Sequence, residues 1–536
     1  MDKPVLQRLL TGYIILGVVL VTFAIFKIIQ QEITTSKYQA RYLSEIAREL
    51  RFKLERGRND AMRYPSYGPY DQRLGYTLIP DSIVRLEKAG FSINAQASLS
   101  PMMDKLVGQG LFPIYQEKTQ AGLRIVDQID SLVFSTVYPG RGYPNFEAIP
   151  SLVLQTLLFI ENRELLDEQH PTLNPAVEWD RFGFSILQLM AHKLGMTDSV
   201  PGGSTLATQI EKYRHSSSGY TNSAIDKIRQ MASASLRAYL LGPDTREMRR
   251  QIVLAYLNSM PLSATPKAGE VHGLGDGLWA WFGADFDAVN KLLSQVAFKP
   301  NEQVSTQQAI AFRQVLTTLL SQRRPSYLLG KGYATLQELT DSYLRLMANQ
   351  GFISGALRDA ALKVRDVRPV APVLSQTKFM AGKKTQSILR TRLAKTLGIK
   401  SNYELDRLDL TVKTTLDYNL QQAIGKALHG LSEPENASVA GVLGYRMLDS
   451  NIDLSAIIYS LMLFEKSPTG NLLRVQTDSF DQPLDINEGI RLDLGSTSKM
   501  RTMVYYLELI AELYKHYQGR PPEELKQIVL HPRDYL

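Results

Sequence analysis

The chain has 536 residues, 21% of them charged and 44% hydrophobic, with a formal net charge of +8 and no cysteine. That composition excludes a disordered protein, and the missing cysteine excludes disulfides and thiolate metal sites, while the length allows several domains with cores of their own. A positive balance suits nucleic acid, anionic lipid or an anionic substrate, and the lack of any basic run interleaved with aromatics sets nucleic acid aside.

Leu9 to Phe26 carries no charge and is mostly Leu, Ile, Val and Phe, about the length needed to cross a hydrocarbon core. Lys3 and Arg8 precede it and Lys27 follows, so charge bias alone leaves its orientation open. A cleavable signal peptide is the competing reading, but Ile28-Ile29-Gln30-Gln31-Glu32 shows no small-residue cleavage pattern. We expect a cytoplasmic tail over 1–8 and a retained transmembrane helix over 9–29. Residues 30–120 read as a stalk helix from Thr35 to Arg63, a Pro/Gly/Tyr break from Tyr64 to Tyr70, and a small mixed segment from Asp71 to Glu117 without recognisable chemistry.

From Ile125 to Phe286, apolar stretches at helical spacing alternate with Gly/Pro loops: Leu152 to Ile160, Phe184 to Leu194, Ile225 to Leu241 and Met248 to Leu257. The periodicity continues to Leu362, giving a predominantly α-helical domain over 121–367. Arg368-Pro369-Val370-Ala371-Pro372 opens a linker over 368–407. Beyond it Leu408 to Thr415 alternates like a strand, a helix starts at Tyr418, and Val439 to Tyr445 and Ala456 to Phe464 are again strand-like. Residues 408–536 therefore read as a mixed α/β module.

Within the helical domain, Pro201-Gly202-Gly203-Ser204-Thr205 feeds a helix that carries Thr208, Gln209 and Lys212. Glycines let the backbone approach a ligand, Ser204 and Thr205 stand at the N-cap, and a helix N-terminus followed by amide and ammonium groups suits an anion such as phosphate. A glycine loop before a capped helix is equally common in ordinary structure. The wording is more specific, and it resembles the Gly-Gly-Ser-Thr…Gln…Lys motif of the peptidoglycan glycosyltransferases (glycosyltransferase family 51), the polymerase module of class A penicillin-binding proteins. Ile160-Glu161-Asn162-Arg163, Asp226-Lys227-Ile228-Arg229-Gln230, Tyr256-Leu257-Asn258 and Trp281-Phe282-Gly283 resemble the family's other motifs and keep their order.

The resemblance implies a multidomain protein: a single N-terminal transmembrane helix, a mainly α lysozyme-like glycosyltransferase domain, and an incomplete α/β transpeptidase-like domain. It implies a single-pass protein of the bacterial cytoplasmic membrane, with its catalytic domains facing the periplasm or exterior, that polymerises lipid II into glycan strands and releases undecaprenyl pyrophosphate. Its partners would be lipid II, the nascent strand, the membrane and other wall-building proteins. By the same resemblance Glu161 is the general base, and Arg163, Ser204, Thr205, Gln209, Lys212, Lys227 and Asn258 contact substrate, with Lys212 near its phosphates. No cofactor is evident; the family allows a divalent cation (Mg2+ or Mn2+), but no His/Asp/Glu cluster has ligand spacing. The chain departs from the pattern at Asn162 and Asp226, and most seriously at Gln230, which replaces the second functional carboxylate and cannot act as an acid. Arg214 and Arg229 are candidates to restore the positive charge lost at Asp226. Two further readings stay open: a scaffold of the same fold that binds glycan or lipid II without turnover, and a lysozyme-like hydrolase.

Gly495-Ser496-Thr497-Ser498-Lys499 fits Ser-x-x-Lys, which places a hydroxyl and an amine on neighbouring helix turns. A desolvated Lys499 could then take the Ser496 proton for acyl transfer. The pair resembles the nucleophile and base of penicillin-binding transpeptidases. Leu494 stands where that family has Pro, and neither Lys-Thr-Gly nor Ser-x-Asn follows before Leu536. We expect a truncated module with absent or very weak acylation.

Overall fold

The computed structural model describes residues 3–179, 204–266, 268–296, 303–364, 382–449, 451–468, 470–480, 482, 484–491, 493 and 495–529. Phe184 to Leu194, Gly202, Gly203, Arg368 to Pro372 and Leu494 lie outside these residues. The chain divides into two compact units, Met1–Tyr418 and Asn419–Leu536.

Helix α1 (Lys3–Thr35) is longer than the expected span. Its apolar side chains from Val18 to Phe26 stand exposed all round, and it alone among the described helices is long and apolar enough to cross a membrane. Just beyond it, Glu32 accepts hydrogen bonds from the backbone N–H groups of Tyr38 and Gln39 at 2.8 and 2.9 Å. That anchors the start of α2 (Lys37–Glu49) to the end of α1. The stalk helix expected to reach Arg63 stops at Glu49. Phe52–Arg56 (β1) instead pairs antiparallel with Ala95–Leu99 (β2), and Phe52 packs beside Leu50, Met103 and Ile114. Between the two strands lies a short helix, α3 (Pro69–Leu74).

The helical domain opens with strands. Leu123–Val126 (β3) pairs antiparallel with Leu132–Ser135 (β4). There follow α4 (Ser151–Ile160), α5 (Leu206–His215), α6 (Ala224–Ala238), α7 (Arg246–Ser259), the hairpin β5 (Pro261–Thr265) and β6 (Gly269–His272), then α8 (Gly273–Phe282), α9 (Phe286–Ser294), α10 (Thr306–Ser321), α11 (Tyr333–Asn349) and α12 (Gly355–Lys363). α10 is buried on every face, so it runs through the middle of the domain with α4, α8, α9, α11 and α12 around it. Ser305 starts it through a capping box with Gln308. Leu152, Leu157, Leu206, Val253, Leu257, Leu274, Leu278, Phe312, Val315 and Leu316 interlock as one core, each stabilising by roughly 1.5–3 kcal/mol.

Two features correct the expected boundaries. The linker region is helical over α13 (Gly382–Leu397), whose Leu389, Leu393 and Leu397 pack on Leu123, Ile125 and Val133. The strand expected to open the second module, Leu410–Lys413 (β7), pairs in parallel with β3 and completes the sheet of the first unit. The second unit holds α14 (Tyr418–Gly430), the antiparallel hairpin β8 (Ser460–Ser467) and β9 (Gly470–Asp478), and α15 (Ser498–Tyr517). Gln421 on α14 accepts a hydrogen bond from the Gln476 backbone at 2.8 Å. Val439 ends a short helix (Pro434–Val439), and Ala440 to Tyr445 is turn with one isolated bridge at Leu443 rather than strand; Gly441 and Gly444 there take left-handed φ values.

Asn258, expected to contact substrate, is buried at the end of α7 and holds the backbone of Tyr143. It accepts from Tyr143 N–H and donates to Tyr143 C=O, both at 2.8 Å. Asn258→Ala strips both partners, so unfolding stability should fall by roughly 2–4 kcal/mol, read by thermal denaturation of the detergent-solubilised protein.

Candidate active site

Thr205 starts α5. Its hydroxyl accepts from Thr208 N–H, and the Thr208 hydroxyl accepts from Thr205 N–H at 2.9 Å, a reciprocal box that uses both side chains. Thr205 is 2% exposed. Expected as a substrate contact, it is a structural cap. The cap sets the rotation of α5, and one turn on, Gln209 Nε2 donates to Glu161 Oε2 at 2.7 Å. Glu161 closes α4 behind the apolar run Leu157 to Ile160. Tyr256 of α7 donates to Gln209 Oε1 at 3.4 Å, and burial together with the Glu161 charge pushes its pKa well above the ordinary phenol value.

A further turn along α5 lies Lys212, whose pKa is lowered by burial and partly restored by Glu161. Lys227, on the first turn of α6, donates to Ser204 Oγ at 2.7 Å. Burial, reinforced by the nearby Lys212 charge, lowers its pKa to about 8. Two neighbouring desolvated ammonium groups, one of them within the field of Glu161, make a place where an anion is welcome.

A cleft of about 460 Å³ opens on Glu161, bounded by Phe159, Arg163, Asn174, Trp179 and Ile33 of α1. Arg163 lays its guanidinium over the Phe159 ring, 4.2 Å from the centroid. The floor is fixed to α1 and α2: Thr172 donates to the Thr35 carbonyl at 2.6 Å, and Asn174 Nδ2 donates to Gln39 at 2.9 Å. The loop after Glu161 is braced from inside by buried Arg249, which donates to the carbonyls of Asp167 and His170 at 2.8 and 3.1 Å.

Other expected residues do different work. Gln230 is buried, with Nε2 donating to Ser216 at 2.9 Å and to Thr221 at 3.0 Å, so it fastens the α5–α6 loop instead of serving as an acid. Asp226 accepts from Asn222 N–H at 3.2 Å in the cap of α6. Arg214 is buried against Glu117 and donates to Ser259 at 2.8 Å, which removes it as a substitute cation in the Glu161 cleft; Arg229 lies 3.7 Å from Asp226. In the second unit, Lys499 Nζ stands 3.4 Å from Ser496 Oγ, but both side chains are exposed and α15 has no buried residue. The desolvation that Ser-x-x-Lys chemistry requires is missing there. Among the described residues no three Asp, Glu or His side chains gather to hold a cation.

Sequence reasoning missed the group beneath α5. His215 lies buried between two carboxylates, Nδ1 2.9 Å from Asp71 and Nε2 2.6 Å from Glu117. Glu117 also pairs with Arg214 and, at 2.7 Å, with Arg237. Arg237 donates to Glu211 at 2.6 Å. The segment without visible chemistry thus supplies Asp71 and Glu117 to the helix that carries Gln209 and Lys212.

A family model described as "Transglycosylase" matches residues 131–314. Those residues, about a third of the chain, are similar to a transglycosylase domain. Comparison with curated proteins finds no match. Among solved structures, the 2.6 Å crystal structure of penicillin-binding protein 1A from Haemophilus influenzae is similar at 14% identity. That match covers 60% of this chain and 31% of that one with a TM-score of 0.22, too low to carry residue correspondences. This chain therefore spans about a third of that protein's length. The transglycosylase domain contains Glu161, Gln209, Lys212 and Lys227, whereas Asp71 and Glu117 lie before it.

The ion cluster makes stability depend on pH. Burial opposes the charge on His215, but Glu117 and the two carboxylate hydrogen bonds outweigh it and raise the pKa to about 10. A raised folded-state pKa gives stability that is complete below the unfolded value near 6.5. It is lost as pH climbs through about 10. Thermal denaturation from pH 6 to 10 should show a falling midpoint in the native protein and a flatter profile in His215→Gln.

Proposed function

We propose that the protein is a membrane-anchored peptidoglycan glycosyltransferase that joins lipid-linked disaccharides of the lipid II type into glycan strands. The observation that carries this reading is Glu161, which opens on a cleft that reaches Ile33 near the end of the apolar helix and is hydrogen-bonded to Gln209, one turn from Lys212, which in turn neighbours Lys227. A reaction whose substrate keeps its tail in the membrane needs its site at that edge.

In the proposed reaction the acceptor hydroxyl gives its proton to Glu161. The hydroxyl oxygen forms a bond to the anomeric carbon as that carbon's bond to phosphate breaks. Attack from the opposite face inverts the centre. Undecaprenyl pyrophosphate leaves with the bonding electrons, and Lys212 and Lys227, with Ser204, stabilise its growing charge. Gln209 orients the carboxylate. Arg163, stacked on Phe159, lines the entrance, with the Glu161 side facing the acceptor. Periplasmic or external placement of the domain belongs to the same proposal, as do the growing strand and other wall-building proteins as partners. Acyl transfer by Ser496 forms no part of it.

The alternative, a scaffold that binds lipid II without turnover, is favoured by Gln230, whose amide is engaged in the α5–α6 loop where the family has a carboxylate. Labelled lipid II decides between them. The native chain should form polymer and Glu161→Gln should lose at least about 100-fold in rate; lipid II binding without polymer from either protein would establish the scaffold. Because Lys227 is charged below about pH 8, inorganic pyrophosphate should bind progressively more weakly as pH rises through that value, measured by calorimetry.

A further inference from the structure

A second cleft, of about 290 Å³, opens on the other side of Lys212, between α3, the loop after α5 and strand β5. Among the described residues its walls hold the cationic side chains Arg73, Lys212, Arg214 and Arg323 and no carboxylate. Two of these are already engaged: Arg214 by Glu117, and Arg323 by the Tyr343 hydroxyl. Arg73 and Lys212 have no hydrogen-bond or ion-pair partner among the described residues; Arg73 only faces the Tyr70 ring at 5.9 Å.

The cleft is positive inside. Burial lowers the pKa of Arg73, an effect opposed by Glu270 outside the walls and increased by Arg214. Burial, with Arg73 and Arg407, likewise drives His272 well below the usual imidazole value, so that ring is neutral. Ser218 and Ser263 line the same space with left-handed φ values of 56° and 69°, which residues with a Cβ seldom adopt. Placing an unpaired guanidinium in a poorly solvated wall is unfavourable in the free protein. An incoming oxyanion removes that penalty, and a planar fork of N–H donors fits a carboxylate with two parallel hydrogen bonds.

We propose that this cleft, centred on Arg73, binds a free carboxylate carried by the peptide stem of the glycan substrate. The inference rests on the proposed function, because it takes the substrate strand to run past Lys212. Lys212 links the two clefts: its charge is felt by Glu161 on one side, and it lines the Arg73 cleft on the other. The diphosphate is assigned to the Lys227–Ser204 side, which leaves the Arg73 side for the strand's other anions. Arg73 comes from the segment before the transglycosylase domain and Arg323 lies beyond residue 314, so the cleft adds residues from outside that domain to the substrate path.

The test is direct binding to the full chain in detergent, by calorimetry, with three probes: muramyl dipeptide, its form with every carboxylate amidated, and inorganic pyrophosphate. The native protein should prefer the free carboxylates over the amide by about tenfold or more. Arg73→Gln should lose that preference while binding pyrophosphate as before. Arg323→Glu, at an exposed position, should weaken muramyl dipeptide in a protein with an unchanged melting temperature. Equal binding of carboxylate and amide by the native chain would overturn the proposal, as would unchanged carboxylate binding in both variants. Loss of pyrophosphate binding in Arg73→Gln would assign the cleft to the leaving group and overturn it too. Glu161→Gln should keep the carboxylate preference; a native chain that makes no polymer yet shows it would defeat the proposed function and leave this site standing.

Discussion

Three carboxylates and three cations share a dry space at the C-terminal end of α5: Asp71, Glu117 and Glu211 against His215, Arg214 and Arg237. Removing any one of these charges leaves a partner buried and unpaired, which costs several kcal/mol in effective desolvation. The group is therefore all-or-none. It ties α3, the loop ending at Glu117, α5 and α6 together, and these are the elements that surround Lys212. Deleting one carboxylate should be more damaging than its individual hydrogen bonds suggest, since a buried cation is left behind.

The consequence for chemistry lies on the opposite turns of the same helix. α5 is held at its start by the Thr205–Thr208 cap and at its end by His215, so Gln209 and Lys212 between them have little freedom to rotate. A carboxylate base works only if it meets the acceptor hydroxyl at hydrogen-bond distance, and Gln209 holds Glu161 in place. The loop from Ser216 to Thr221, which leads from this fixed end to Lys227, is pinned by Gln230. Gln230 thus supports the position of Lys227 without meeting substrate. That offers a physical reason why the fold can keep its arrangement of Glu161, Lys212 and Lys227 with an amide at that position.

What the sequence made legible was local. The anchor, the helices α4, α6 and α7, and the grouping of Gln209 with Lys212 follow from hydrophobic period and helix spacing. The resemblance gives Thr205 and Asn258 as substrate contacts, and residue type cannot tell a hydroxyl or amide that faces a ligand from one engaged by the backbone, as both are here. Asp71 and Glu117 were invisible because they meet His215 across sequence separations of 144 and 98 residues. One signal was available: Glu211, Arg214 and His215 occupy a helix that also carries Leu206, Ala207 and Ile210, and burying such a helix demands charged partners from elsewhere. The strand Leu410–Lys413 misled for a similar reason, since alternation shows that a strand exists but not which sheet receives it.

Hydrogen–deuterium exchange of the full chain and its Glu117→Gln variant, at pH 7, tests most directly whether this cluster holds the site. The account predicts faster exchange throughout Leu206–His215 and in Pro69–Leu74 together, because removing one charge loosens the whole group. An increase confined to the neighbourhood of residue 117, with α5 still fully protected, would contradict it.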